Sequence, residues 1–205
     1  GDEYKVMGLA PYGEPDLMEE MRSIVRLKPE GKYELDLDGF LHHSEGVSMV
    51  WDDGMPTIGT VFSEELPRRL GPARGKDEPI TDRHKAIAAS MQAMYEEAFF
   101  HVLAHVERKT GERNLALAGG CAMNSVANGK VFERSGFREL FVQSAAGDAG
   151  GAIGAAFHVL HGVLGRPRGF VMEHAYLGPE FPQTELRALV ESKKGELEAA
   201  GCAAE

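Results

Sequence analysis

The sequence predicts an α/β fold, because a short apolar strand, a glycine-rich turn and a helix follow one another twice in its second half. The two strands are residues 114–118 and 139–143. A long stretch with the apolar spacing of a helix, residues 82–109, precedes them. Strands joined in this way lie parallel and place ligand sites at their carboxyl ends. We therefore expect two glycine turns side by side at one edge of a sheet.

The other elements are predicted from local patterns. Thr81 and Asp82 are typical of a helix start, and Gly111 is typical of a helix stop. The remaining predictions are a helix over 17–26, a β-hairpin over 32–43 that turns at Asp38-Gly39, an irregular connection over 52–79 with a short helix near 63–70, a helix from Asn124 or Ser125, a small-residue helix ending at Gly165, and a charged helix over 184–204.

Composition excludes several classes of protein. The chain has 205 residues, of which 43% are apolar and 26% charged, as in ordinary globular proteins. A net charge of −10 argues against broad nucleic-acid binding, and no apolar run approaches the roughly 18 residues that a membrane span needs. Two cysteines and no signal peptide predict the reducing cytoplasm. The chain lacks an initiator Met, so we expect it to begin inside a longer protein.

The first glycine turn, Gly119-Gly120, follows a strand directly and precedes Asn124. Glycine lets a ligand approach the main chain, because no Cβ stands in the way. These residues therefore suit a nucleotide that lies against the backbone, with Asn124 as a hydrogen-bonding side chain. A tight turn with Asn124 as a plain helix cap explains the same pattern equally well. Both interpretations stay open on residue types alone.

The second glycine turn carries a carboxylate. Asp148 follows Gly147 and precedes Gly150 and Gly151. Asp148 can cap a helix, or it can bind a divalent metal that bridges phosphate oxygens. Two glycines in the first turn of a helix each cost roughly 1 kcal/mol relative to alanine. Close approach of a ligand explains this cost better than structure alone, so we favour a binding role.

Three sequence blocks around these residues resemble one enzyme family. The sequence is similar to the carbamoyltransferases that include nodulation protein U and enzymes of aminoglycoside and cephamycin biosynthesis. The matching blocks, which occur in the family's order, are residues 2–13, 117–130 and 143–156. Three long blocks in order are far more specific than a single Gly-Gly pair, and the resemblance extends over nearly the whole chain.

The resemblance implies a ribonuclease H-like, actin-like ATPase fold, of which residues 1–165 are the second half. Residues 166–205 then begin a following carbamoyladenylate-forming domain. In the family, carbamoyl phosphate and ATP give carbamoyladenylate, whose carbamoyl group passes to a hydroxyl of a small-molecule acceptor beside an iron-type metal. By motif, Asp148 matches the aspartate that holds this metal, for which magnesium is the other candidate.

The resemblance also assigns the turns and points to what is missing. Gly119, Gly120 and Asn124 match the adenosine side, and Gly150 and Gly151 match the phosphate side, with Gly147 as a further candidate contact. Lys5, in the first block, is a candidate for contact with phosphate or acceptor, although a surface salt bridge explains it equally well. The family's metal-binding histidine pair belongs upstream of this chain, so we expect the fragment alone to be inactive and its exposed apolar surface to favour self-association.

Two alternatives remain. In the first, the chain is a non-catalytic nucleotide-binding or scaffold module. In the second, it is a sugar-kinase-like or threonylcarbamoyl-transfer relative.

Two further features of the sequence are not assigned to the site. His101 and His105 have metal-ligand spacing on the long helix, but we interpret them as ordinary helix-surface residues. Cys121 is predicted to be a small buried residue rather than a nucleophile.

Overall fold

The computed structural model describes residues 3–52 and 54–202 and confirms a mixed α/β architecture. Asp2, the first residue of the first sequence block, and Ala204, the end of the predicted charged helix, lie outside the described residues. The helices are α1 (Glu3–Leu9), α2 (Met18–Ile24), α3 (Glu65–Leu70), α4 (Asp82–Thr110), α5 (Ser125–Asn128), α6 (Val131–Arg134), α7 (Gly151–Phe157), α8 (Gln183–Ser192) and α9 (Lys194–Ala199). The strands are β1 (Val25–Leu27), β2 (Tyr33–Leu35), β3 (Met49–Asp52), β4 (Met55–Ile58), β5 (Asn114–Leu117) and β6 (Glu139–Val142).

The 29-residue helix α4 begins and ends where the sequence predicts. At its start, the backbone N–H of Thr81 donates to Nδ1 of His84, which completes a capping box. At its end, Gly111 adopts φ 70°, the left-handed conformation that closes helices. The first sequence block packs against this helix. A Cβ on Gly13 would lie 2.3 Å from the carbonyl carbon and oxygen of Lys85, so the chain approaches the helix backbone as only glycine allows.

The described residues form three two-stranded ladders, one of which is parallel. Strands β5 and β6 are the parallel pair, with Leu117 opposite Val142 at their carboxyl ends. This arrangement confirms the predicted pairing. The ladder packs on α4 through a core whose members are Phe100, Leu103, Val131 and Phe137, with Leu115, Leu117 and Leu140 against them.

The predicted β-hairpin over 32–43 is wrong in its partner. Strand β2 pairs antiparallel with β1, of which Val25 and Arg26 were predicted to end a helix. The proposed turn, Asp38-Gly39, lies in a 3-10 turn instead. The turn that joins β1 to β2, residues 28–32, is held against α4. Nε2 of His101 lies 2.7 Å from the carbonyl oxygen of Lys28 and 3.1 Å from that of Lys32.

The segment predicted to be irregular, residues 52–79, contains a strand near its start and a short helix in its interior. The short helix near 63–70 is confirmed as α3. Strand β4 pairs antiparallel with β3, a hairpin that the Gly and Pro content concealed. The structure also splits the helix predicted after the first glycine turn into α5 and α6.

A second core and an open cavity lie on the amino-terminal side of the chain. The core is formed by Met21, Ile24 and Met94. Beside it is an apolar groove of about 490 Å³, which we define by its lining residues on α2, β1, β2, α3 and α4 together with Phe40 and Cys121. Cys121 is exposed rather than buried, so that prediction is wrong. The residue opens into the groove instead of packing in a core.

The chain divides into two compact units between Ala155 and Ala156. The first unit contains both cores and both glycine turns. The second contains α8 and α9, which replace the single charged helix of the prediction. The predicted domain boundary at 165/166 stays a prediction. Over residues 3–52 and 54–202, no helix is both long and apolar enough to cross a membrane.

Candidate functional site

The two glycine turns lie side by side because β5 and β6 are parallel and in register. Each strand ends at the same edge, at Leu117 and Val142. Gly119 follows β5 after one residue, and Gly147 follows β6 after four. The backbone N–H of Gly119 then donates to the carbonyl oxygen of Ala146 at 2.7 Å, which joins the two loops. A Cβ on Gly147 would lie 3.4 Å from Sδ of Met123. The structure thus brings the two predicted turns together.

The glycines of the turns differ in what surrounds them. Apart from adjacent residues and the backbone of the same helix, no described heavy atom lies within 4 Å of a Cβ built on Gly119, Gly120 or Gly151, so the main chain is open at all three. Gly119 also has φ 96°, a conformation that side chains other than glycine rarely adopt. A Cβ on Gly150, however, would lie 2.3 Å from the carbonyl oxygen of Ala145. The loop itself therefore requires glycine at position 150, and ligand approach is not needed to explain it.

Asp148 is exposed at the start of a short 3-10 turn, Asp148–Gly150. Its carboxylate makes no hydrogen bond or ion pair with the residues that the structure describes. Helix capping, the alternative for this aspartate, therefore does not occupy its oxygens. A free, exposed carboxylate beside open main chain has the donor chemistry that divalent cations prefer.

A metal site would need more ligands than Asp148 supplies. Within residues 3–52 and 54–202, no group of three or more His, Cys, Asp or Glu side chains is arranged to hold a metal ion. His101 contacts the β1–β2 turn, and the Cβ of His105 lies 2.6 Å from where a Cβ on Gly31 would stand. Both histidines therefore pack the turn between β1 and β2 against α4. This agrees with their interpretation as ordinary helix residues.

Lys5 lies on α1, next to the elements of the site. Ser125, the first residue of α5, donates its hydroxyl to Sδ of Met7 at 3.8 Å, so α1 and α5 are neighbours. The Lys5 side chain is exposed, and its Nζ lies 5.8 Å from the centre of the Tyr4 ring. The first and second sequence blocks are therefore adjacent in space, although the role predicted for Lys5 stays a prediction.

Asn124 is held by the protein itself. Its Oδ1 accepts the backbone N–H of Ala127 at 3.0 Å and so caps α5. Its amide also exchanges two hydrogen bonds with Gln92 on α4, at 2.8 and 3.1 Å. Sequence reasoning missed Gln92 and its neighbour Glu96. The available signal was two polar residues four apart among the mostly apolar buried positions of α4.

Tyr95 also links α4 to the first turn. Its hydroxyl donates to the carbonyl oxygen of Cys121 at 2.7 Å, and its ring stacks on Phe99 with 5.7 Å between centroids. Burial raises the pKa of Tyr95 to about 12. The hydroxyl therefore remains protonated, and able to donate, throughout the neutral pH range.

Comparison with known proteins identifies the family. The family model described as "Carbamoyltransferase N-terminus" matches residues 1–157, which include all three sequence blocks and both glycine turns. The nodulation protein NolO of Bradyrhizobium diazoefficiens is 38% identical over 174 residues, which are 81% of this chain and 26% of that protein.

Two further relatives agree. The nodulation protein NolNO of Sinorhizobium fredii is 38% identical over 185 residues, which are 87% of this chain and 23% of that protein. An uncharacterized protein of Synechocystis is 36% identical over 189 residues, which are 90% of this chain and 29% of that protein. The chain thus spans about a quarter of the length of these relatives, and it belongs to the carbamoyltransferase family through its similarity to their amino-terminal domain.

Proposed function

We propose that this chain supplies half of the active site of an ATP-dependent carbamoyltransferase, namely the half that binds nucleotide and metal. One observation carries the proposal: the two glycine turns lie together at the carboxyl edge of β5 and β6. One turn offers open main chain at Gly119 and Gly120, and the other offers the free carboxylate of Asp148. Family membership supports the reaction class.

In the proposed reaction, a hydroxyl oxygen of a small-molecule acceptor forms a bond to the carbamoyl carbon of carbamoyladenylate. The bond from that carbon to the adenylate phosphate oxygen breaks, AMP leaves, and the hydroxyl proton is released. Carbamoyladenylate itself comes from carbamoyl phosphate and ATP elsewhere in the parent protein. The residues of this chain bind the adenylate against the open glycines and orient it toward the acceptor.

Asp148 is the residue of this chain that would hold the divalent cation, iron or magnesium. When bound, such a cation offsets phosphate charge and polarises the leaving group. The exposed carboxylate fits this role as one ligand, and the remaining ligands are proposed to be a histidine pair from another part of the parent. Because one carboxylate alone is a weak cation site, we propose that the fragment is inactive by itself.

The architecture supports an incomplete domain. Parallel sheets are normally covered on both faces, and isolated two-stranded ladders are marginally stable. Here Phe141, on β6, remains 50% exposed. We propose that β5 and β6 belong to a larger sheet of the actin-like ATPase fold, with residues 166–205 leading into the next domain. The apolar groove supports the proposal that the isolated chain self-associates.

The test is an assay of the intact parent protein with labelled carbamoyl phosphate, ATP and a panel of hydroxylated acceptors. The proposal predicts one carbamoylated product for each AMP released, and no product without ATP. Nucleotide binding without transfer to any acceptor would favour the non-catalytic module. Transfer that proceeds at the same rate without ATP would contradict the adenylate route.

A further inference from the structure

A continuous chain of polar side chains connects the buried face of α4 to the first glycine turn. Glu96 and Gln92 are one helical turn apart, with 6% and 9% of their surface exposed. Gln92 donates through Nε2 to Oε1 of Glu96 at 3.1 Å. It also exchanges two hydrogen bonds with Asn124, at 2.8 and 3.1 Å, and Asn124 in turn accepts the backbone N–H of Ala127. We call these three side chains, Glu96, Gln92 and Asn124, the amide relay.

The carboxylate at one end fixes the direction of the whole relay. Glu96 contacts Nζ of Lys130 at 2.6 Å and Nη1 of Arg134 at 2.9 Å. An ionised carboxylate accepts hydrogen bonds and donates none, so the NH₂ group of Gln92 must face it. Oε1 of Gln92 then accepts a hydrogen bond from the NH₂ group of Asn124. Oδ1 of Asn124 accepts two, one from the NH₂ group of Gln92 and one from the backbone N–H of Ala127 at the helix cap. Reversing either amide would set donor against donor or acceptor against acceptor.

The relay acts where the turn is already held at other points. Asn128 donates through Nδ2 to the carbonyl oxygen of Ala122 at 2.7 Å, and Tyr95 donates to that of Cys121 at 2.7 Å. The backbone N–H of Asn124 lies 3.2 Å from the same Cys121 oxygen. Since Asn124 is the last residue of the turn, the orientation of its side chain sets where the turn ends and α5 begins.

We propose that Gln92 and Glu96 are positioning residues, which fix the side chain of Asn124 and thereby hold residues 119–124 in one conformation for the nucleotide. Neither residue touches a reacting atom. The link to nucleotide binding rests on the proposed function, whereas the holding of the turn stands on the geometry alone. Preorganisation of this kind raises affinity because the turn does not have to be ordered when ligand binds.

Hydrogen–deuterium exchange of the intact parent tests the holding of the turn. Gln92→Leu keeps the bulk of the side chain and removes its hydrogen bonds. The matched control is Glu107→Gln, which is also on α4. The Glu107 carboxylate accepts a hydrogen bond at 3.1 Å from the backbone N–H of Gly136, a residue outside the turn. We expect exchange over residues 122–128 to quicken about tenfold in Gln92→Leu, as loss of buried hydrogen bonds allows local opening, and to stay unchanged in the control.

Unchanged exchange over residues 122–128 in Gln92→Leu would overturn the inference, as would an equal increase in Glu107→Gln. If Gln92→Leu does not fold, Glu96→Gln gives the same readout. That substitution preserves shape but lets the amide of Gln92 reverse, and exchange over the same segment is again expected to quicken.

Calorimetric titration with ADP separates the inference from the proposed function. We expect Gln92→Leu to weaken ADP binding about tenfold and Glu107→Gln to change it less than about twofold, because only the first disturbs the turn. Failure of the unaltered parent to bind ADP would refute the proposed function, while the exchange result would still decide the role of the relay. Faster exchange with unchanged ADP affinity would refute positioning for the nucleotide.

Discussion

The two glycine turns share one sheet edge but differ in how the protein treats them. In the first turn, residues 119–124, backbone carbonyls and the Asn124 side chain are bonded to α4 and α5. In the second turn, residues 147–151, the carboxylate of Asp148 makes no hydrogen bond or ion pair with the described residues. The first turn is therefore held in one conformation by hydrogen bonds, whereas the second exposes a carboxylate that is available to a ligand. We propose that the first turn positions the nucleotide and that the second supplies the group that takes part in the chemistry.

The largest expected effect follows from removing the free carboxylate. Asp148→Ala in the intact parent should lower carbamoyl transfer at least roughly a thousandfold, about 4 kcal/mol of transition-state stabilisation. Its melting temperature should stay close to that of the parent, because the side chain makes no hydrogen bond or ion pair with the residues that the structure describes. The carbamoyl-transfer assay measures the loss of activity, and a thermal melt measures the melting temperature.

Asp77→Ala is the control for this substitution, because Asp77 is another exposed aspartate far from the turns in sequence. It should leave both transfer and melting temperature unchanged. If Asp148→Ala retains full transfer activity, the second turn has no chemical role and the contrast between the turns disappears.

Two neighbouring glycines in the second turn should respond with opposite signs. Gly150→Ala places a Cβ 2.3 Å from the carbonyl oxygen of Ala145, so we expect a loss of about 1–3 kcal/mol in the free energy of unfolding. Gly151→Ala meets open space at φ −58°, so it should gain about 0.4–1 kcal/mol by restricting the unfolded chain. Urea denaturation of the two variants compares them. Equal destabilisation by both would mean that the loop geometry is wrong.

Tyr95→Phe probes the held turn through pH. Because burial raises the pKa of Tyr95 from 10.0 to about 12, the folded state binds this proton more tightly than the unfolded state. Its contribution to stability is therefore complete below pH 10 and is lost as pH rises toward 12. We expect the parent to lose stability over this window more steeply than Tyr95→Phe, which should cost about 1 kcal/mol at neutral pH through the lost hydrogen bond. If the free energy of unfolding, measured in urea, falls equally in both proteins as the pH rises from 10 toward 12, this prediction is wrong.

Local signals in the sequence were sufficient for the elements around the site. Helix α4 has unbroken periodicity with Thr81 and Gly111 at its ends, and β5 and β6 are short apolar runs that lead into glycine. Such features depend on nearby residues, so the chain specifies them without tertiary information. The adjacency of the two turns followed from the parallel pairing.

Tertiary contacts decided what the sequence could not predict. Strand β2 pairs with β1 because α4 fixes the intervening turn through His101, at a separation of 73 residues from Lys28. The amide relay joins Gln92 and Asn124 across 32 residues. The reason for Gly150 also required coordinates, since the oxygen that excludes a Cβ belongs to a neighbouring loop residue whose position no pattern reveals.

The central claim is that the carboxylate of Asp148 and the open glycines serve one ligand, a nucleotide with its cation. Calorimetric titration of ADP into the intact parent, with and without a divalent cation, tests this most directly when repeated on Asp148→Asn. We predict that the cation strengthens ADP binding to the parent and that Asp148→Asn loses this enhancement while retaining cation-independent binding. An enhancement of equal size in both proteins would contradict the account.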